Sequence, residues 1–156
     1  MQHSAPTEPG HNDHTMQEHT MQLGYTIIYV PDVATSLDFW QRAFGLRLRF
    51  VHDSGTYGEL DTGATTLAFA AHALGDSNFP GGHVAAHSSP QPLGFEIALV
   101  TADVAGAHAQ ALSAGAAELS PPTDKPWGQT VSYVRCPDGT LVELCTPVAS
   151  GNAEQA

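Results

Sequence analysis

Two glutamates stand where glutamates are uncommon. Glu96 sits in the run FEIAL and Glu143 in VEL, each flanked by apolar residues of a predicted strand. A carboxylate held there without a partner is costly, or it takes up a proton and turns neutral. A divalent metal, a buried Arg or Tyr, or a water-filled cavity would each relieve it. The chemistry then differs: metal-assisted polarisation of a ligand, ion pairing, or proton transfer by the carboxyl itself. A solvated groove with polar neighbours is the purely structural alternative. Four aromatic residues, Tyr25, Tyr29, Trp127 and Tyr133, could give a small molecule area and orientation. The histidines are less well placed. His3, His11, His14 and His19 fall in a polar leader, where they would bind a transition metal only adventitiously. His72, His83 and His87 fall in a Pro- and Gly-rich stretch that does not favour the helix their spacing would need. Cys136 and Cys145 form no CxxC pair, so a zinc knuckle is unsupported. Two buried or half-buried thiols are expected, with a strap across one hairpin as the other possibility.

The elements that must position these groups occur twice. LGYTIIYVPDVATSLDFWQRAFGL (23–46) and LGFEIALVTADVAGAHAQALSAGA (93–116) share one layout: an apolar strand, an Asp-marked entry and a helix that stops at a glycine. Setting Asp32 on Asp103 brings Tyr25 onto Glu96. In the first strand Thr26, Ile28 and Val30 should share one face and Tyr25, Ile27 and Tyr29 the other. Leu37, Trp40 and Phe44 give the first helix its apolar stripe. Strands at 46–51, 57–60 and 65–70 complete a β-α-β-β-β unit. In the second half Phe95, Ile97 and Leu99 should face the helix at 104–114, and Glu96, Ala98 and Val100 the opposite side. Further strands follow at 117–119, 130–135 and 141–145, with a proline-rich loop at 120–128 and a PDG turn between the last two. Residues 1–21 read as a flexible leader, 22–148 as the folded part (modules 22–70 and 93–148), 71–92 as a linker able to act as a lid, and 149–156 as a tail.

The totals are those of a globular chain of 156 residues, long enough to bury a core without disulfides or structural metal. A formal charge of −11 with only five Lys and Arg excludes a nucleic-acid backbone as ligand, because phosphate binding needs clustered cations. Arg42, Arg47 and Arg49, the one local group, are expected on a solvated surface. No apolar run reaches the ~20 residues of a membrane helix, and no secretory signal is present, so a cytoplasmic location is expected.

A helix on one face of each four-stranded sheet leaves the other face free to form a cup. Matching TTLAF to TLVEL places Ala68 on Glu143, so four related positions of the repeat carry Tyr25, Ala68, Glu96 and Glu143. The two copies, together with KPWGQTVSYVRCPDGTLVELCTP, resemble the vicinal oxygen chelate superfamily: glyoxalase I, extradiol dioxygenases, and the fosfomycin and bleomycin resistance proteins. The resemblance implies an α+β fold of two βαβββ modules making a curved-sheet cup. It places metal ligands at those four positions, of which Glu96 and Glu143 have ligating side chains suited to a divalent ion such as Mn, Mg, Ni or Zn. Two classes of function follow. One is a protein that binds a small aromatic or oxygen-rich molecule, as bleomycin resistance members do. The other is a metal-dependent lyase, isomerase or dioxygenase using Glu96 and Glu143. The resemblance also implies a homodimer, with the cup built within one chain or across two.

Overall fold

Each half of the chain opens on a β-branched strand that runs into an aspartate and turns into a helix. In the computed structural model, which describes residues 21–148, these become β1 (Tyr25–Val30) and α1 (Val33–Phe44), then β5 (Ile97–Val100) and α3 (Val104–Ala114). The leader, with its four histidines, and the tail lie outside the described residues. Asp32 caps α1 by accepting from the Thr35 amide at 2.8 Å, and Asp103 caps α3 by accepting from the Gly106 amide at 2.9 Å. Gly45 ends α1 in the left-handed region, with its N–H on the Gln41 carbonyl.

Each helix is followed by three strands: β2 (Arg47–Val51), β3 (Tyr57–Asp61) and β4 (Thr66–Ala71) in the first half, and β6 (Ala117–Asp124), β7 (Thr130–Arg135) and β8 (Leu141–Cys145) in the second. They form two four-stranded sheets, ordered β1-β4-β3-β2 and β5-β8-β7-β6. In both, the first strand of the unit lies at one edge and runs parallel to the last. Ile27 pairs with Ala68 just as Ala98 pairs with Glu143, which is the equivalence expected from sequence.

The core lies between the sheets and their helices. Ile28, Val30, Leu37, Trp40, Leu60 and Phe69 fill the first half, and Val104, Ala111, Val134, Val142 and Leu144 the second. The halves join helix to helix, α1 against α3. A polar pin crosses that joint. The buried Asp138 of the PDG turn accepts from Ser36 Oγ at 3.0 Å and Trp40 Nε1 at 3.1 Å, and its other oxygen accepts from the Thr140 amide at 3.1 Å.

Three local expectations are corrected. β6 continues through Pro121 and Pro122 to Asp124 instead of yielding to a loop at 120. It is an edge strand, where a missing N–H costs no ladder bond, and its register slips twice on the way. The linker contains a seven-residue helix, α2 (His72–Asn78), and a 3₁₀ turn (Ala86–Ser88). Both hold where tertiary contacts, not periodicity, support them. Phe95 does not join the core. It lies before β5, half exposed at 51%, and lines a cleft with Ile27, Tyr29, Val84 and Leu93.

Candidate functional site

The alternation of β5, β7 and β8 fixes what the uncovered face of the second sheet presents. Ser132, Val134, Val142 and Leu144 turn to α3 and are buried. The opposite face carries Ala98 and Val100 from β5, Tyr133 from β7, and Glu143 and Cys145 from β8. Glu96, one residue before β5, extends the same row. Tyr133 stands directly opposite Glu143 in register.

The two carboxyls meet. The Glu96 carboxyl is raised above the usual carboxylate range by partial desolvation, then by a hydrogen bond to Glu143 and by the Glu143 charge. Two carboxylates that close hold one proton more readily than either would alone. Tyr133 feels the same field: burial first, then Glu143 and Glu96, push its phenol upward, so it remains a hydrogen-bond donor. The Cys145 thiol is raised by burial and by both carboxylates, which disfavours a nucleophilic thiolate. Cys136 is deeply buried and raised well above its ordinary value, so neither free cysteine is an activated nucleophile. The face therefore offers a carboxyl held above its ordinary range, a phenol O–H and apolar surface (Val100 is 65% exposed). That combination suits a ligand with oxygen acceptors and a flat apolar body.

The other sequence candidates are not brought here. Tyr25 is exposed on the free face of the first sheet. Tyr29 is on that same face but under the linker, with its ring 4.8 Å from His83. Trp127 stands at the turn between β6 and β7, its indole N–H donating to Gln129 Oε1 at 2.7 Å. Of the six residues singled out, Glu96, Glu143 and Tyr133 converge, and Tyr25, Tyr29 and Trp127 do not.

Sequence reasoning passed over Glu59, in YGELD. It is a mid-strand glutamate by the same criterion that marked Glu143, and it is only 7% exposed. Tyr57 O–H donates to its Oε2 at 3.0 Å, and Arg49 lies 3.6 Å from its Oε1. Arg49 also donates to Thr66 Oγ1 at 3.0 Å and approaches Asp61 at 3.5 Å. Arg49 is exposed, as expected, yet its guanidinium reaches back toward the buried carboxylate. Desolvation, followed by the hydrogen bond and charge of Glu59, pushes the Tyr57 phenol up to about 12.

A Ser132–His108–Glu118 chain was also missed. His108 Nδ1 lies 2.9 Å from Ser132 Oγ, and its Nε2 lies 2.7 Å from Glu118 Oε2. It has the order of a hydrolase triad, but Ser132 is fully buried beneath α3 and no substrate could reach it. It serves as packing with satisfied polar atoms.

The donor set does not fit a bound divalent metal. Of the four related positions, Ala68 has a methyl group and is completely buried, and Tyr25 offers only a phenol oxygen. Among the described residues no group of three His, Cys, Asp or Glu side chains is placed to hold an ion. Two carboxylates and water would make a weak oxygen site.

Comparison with known proteins points the same way for the fold. The family model for the Glyoxalase/Bleomycin resistance protein/Dioxygenase superfamily matches residues 17–144. A glyoxalase-related enzyme from Fulvimarina pelagi has a similar structure (TM-score 0.69, 21% identity, 81% of this chain and 88% of the other). So has a glyoxalase/bleomycin resistance protein/dioxygenase family enzyme from Burkholderia phytofirmans PsJN (TM-score 0.67, 20% identity, 83% and 100%). TioX from Micromonospora sp. ML1 is similar as well (TM-score 0.60, 22% identity, 81% and 98%). Among curated proteins none matches. No helix of the described residues is long and apolar enough to cross a membrane.

Proposed function

We propose that this chain, which belongs to the glyoxalase/bleomycin resistance protein/dioxygenase superfamily, binds a small oxygen-bearing, flat apolar molecule on the free face of its second sheet. The carrying observation is the Glu96–Glu143 pair, two carboxyls close together on an open face with Tyr133 beside them. The Tyr133 phenol, and the raised Glu96 carboxyl when it holds its proton, are donors for carbonyl, phenolic or carboxylate oxygens. Ala98 and Val100 supply exposed apolar surface for the body of the ligand. A second copy of the chain would supply the facing wall. Supporting this, Tyr25, Ile27, Phe95 and Val100 leave apolar area exposed on the free faces of both sheets.

A second reading, proton transfer on the bound molecule by the raised Glu96 carboxyl, is favoured by that shift alone. The metal-dependent reading carries over from the family, and the donor set argues against it.

The test is a fragment screen by NMR on protein lacking residues 1–20, using simple phenols, catechols and aromatic carboxylates, with and without added Mn²⁺. Shifts should centre on Glu96, Tyr133 and Glu143 and disappear in Glu143→Gln, without a need for metal. Shifts centred elsewhere would refute the binding reading. Stoichiometric Mn²⁺ lost in Glu143→Gln would replace it with the metal-assisted one.

A further inference from the structure

We propose that His72, His83 and His87 form an acid-sensitive catch that fastens the 72–88 segment over the first sheet at neutral pH and releases it when the cluster takes up protons. The three imidazoles come from separate places in the segment. His72 Nδ1 and His83 Nε2 are 2.7 Å apart, so one ring must donate and the other must keep a bare nitrogen. Their rings stack with centroids 5.0 Å apart, and the His87 ring lies 5.3 Å from that of His72. The remaining nitrogens, His72 Nε2 and His83 Nδ1, are buried without a hydrogen-bond partner. A neutral ring can leave such a nitrogen bare at modest cost, whereas a cationic His72 would bury its Nε2–H with no acceptor and a cationic His83 would have only the Asp76 carboxylate, 3.5 Å from its Nδ1.

The catch holds the segment against the sheet. The His83 ring lies on Tyr29 of β1 and 6.1 Å from Phe79. α2 passes so close that a Cβ on Gly75 would stand 2.8 Å from the Tyr29 ring and 3.1 Å from His83. The groups facing the cluster are few. β1 offers the Tyr29 phenol, and β4 the uncharged Ala68 and Ala70. α2 offers Asp76, whose Oδ1 is 3.5 Å from His83 Nδ1. One carboxylate cannot offset three imidazolium charges.

The far end of the segment is tied differently. Arg135 of β7 donates to the Ala86 carbonyl at 2.9 Å and the Ser89 carbonyl at 2.8 Å. Gly139 leaves room where the Ala86 main chain crosses it. Arginine keeps its charge throughout this range, so acid loosens only the histidine end, while Arg135 adds to the repulsion on a protonated His87. His72 is held below its ordinary value by burial first, then by the charges of His83 and His87, with Asp76 opposing. The closed state therefore binds fewer protons than the open one. Closure is complete above the ordinary imidazole value of about 6.5 and is lost as pH falls through the lower closed-state value.

Hydrogen exchange on the full chain, corrected for the intrinsic rate, tests this by comparing residues 72–88 with β8 at about pH 7.5 and about pH 5. Protection of 72–88 should fall by about tenfold or more on acidification while β8 is unchanged. The double variant His72→Asn/His83→Gln should lose the difference between the two pH values. Equal protection of the wild-type segment at both pH values overturns the proposal, whatever the variant does. Loss of protection on adding EDTA at neutral pH also overturns it, assigning the cluster to a metal instead.

Discussion

The free faces of the two sheets share one register and one strand order, yet they treat a carboxylate in opposite ways. On the first, Glu59 is buried and its charge is met by Tyr57 and Arg49, and Tyr29 at the far end of β1 lies under α2 and the segment that follows it. On the second, Glu96 meets another carboxylate. The cation available on that face, Arg135, is turned to the backbone carbonyls of Ala86 and Ser89. A buried charge with its counter-charge in place is architecture. A like-charged pair left open works against stability, and such pairs persist where a ligand or proton needs them.

Substitutions can break or sharpen that contrast. The largest effect belongs to what the halves share. Asp138→Ala leaves Ser36 Oγ and Trp40 Nε1 buried without an acceptor, and should cost about 3 kcal/mol in urea unfolding. Arg49→Leu strands Glu59 on the closed face and should cost about 2 kcal/mol, discounted because the guanidinium is partly exposed. If it costs nothing, Arg49 does not neutralise Glu59 on the first face.

Glu143→Gln on the open face should do the reverse and stabilise by less than about 1 kcal/mol, since both groups are screened by solvent. Its pH dependence has a definite sign. The Glu96 pKa is raised in the folded state, so between the ordinary glutamate value and the folded one the native protein holds more protons than the unfolded chain. Wild-type stability thus declines as pH rises through that window, and the variant should flatten the decline. Thermal unfolding across the acidic to neutral range reads this directly. The smallest effect is Tyr25→Phe, expected to stay within about 0.5 kcal/mol because the phenol stands in solvent.

Much of this was legible because it is written locally. The Asp caps, the glycine stops and the period-2 strands specify both units, and the internal match of TTLAF with TLVEL gave the Ala68–Glu143 equivalence that the strand pairing bears out. Glu143 stood out as a charge between apolar neighbours, and Glu59 could have been found by the same rule. What was not legible depends on distant partners. Nothing local links Arg49 to Glu59, or His72 to His83 across eleven residues. β6 survives two prolines only because it is an edge. The aromatic candidates are dispersed for a related reason: composition marks Tyr29 and Trp127 as ligand-like, and the fold puts one under the linker and the other at a turn.

The most direct test of the open face is a carboxyl ¹³C NMR titration of Glu96 in the wild type and in Glu143→Gln. The Glu96 midpoint should lie above the ordinary glutamate value of about 4.3 and move back toward it when Glu143 is neutralised. A midpoint at the ordinary value in both proteins would contradict it, and would reduce the second face to a solvated sheet.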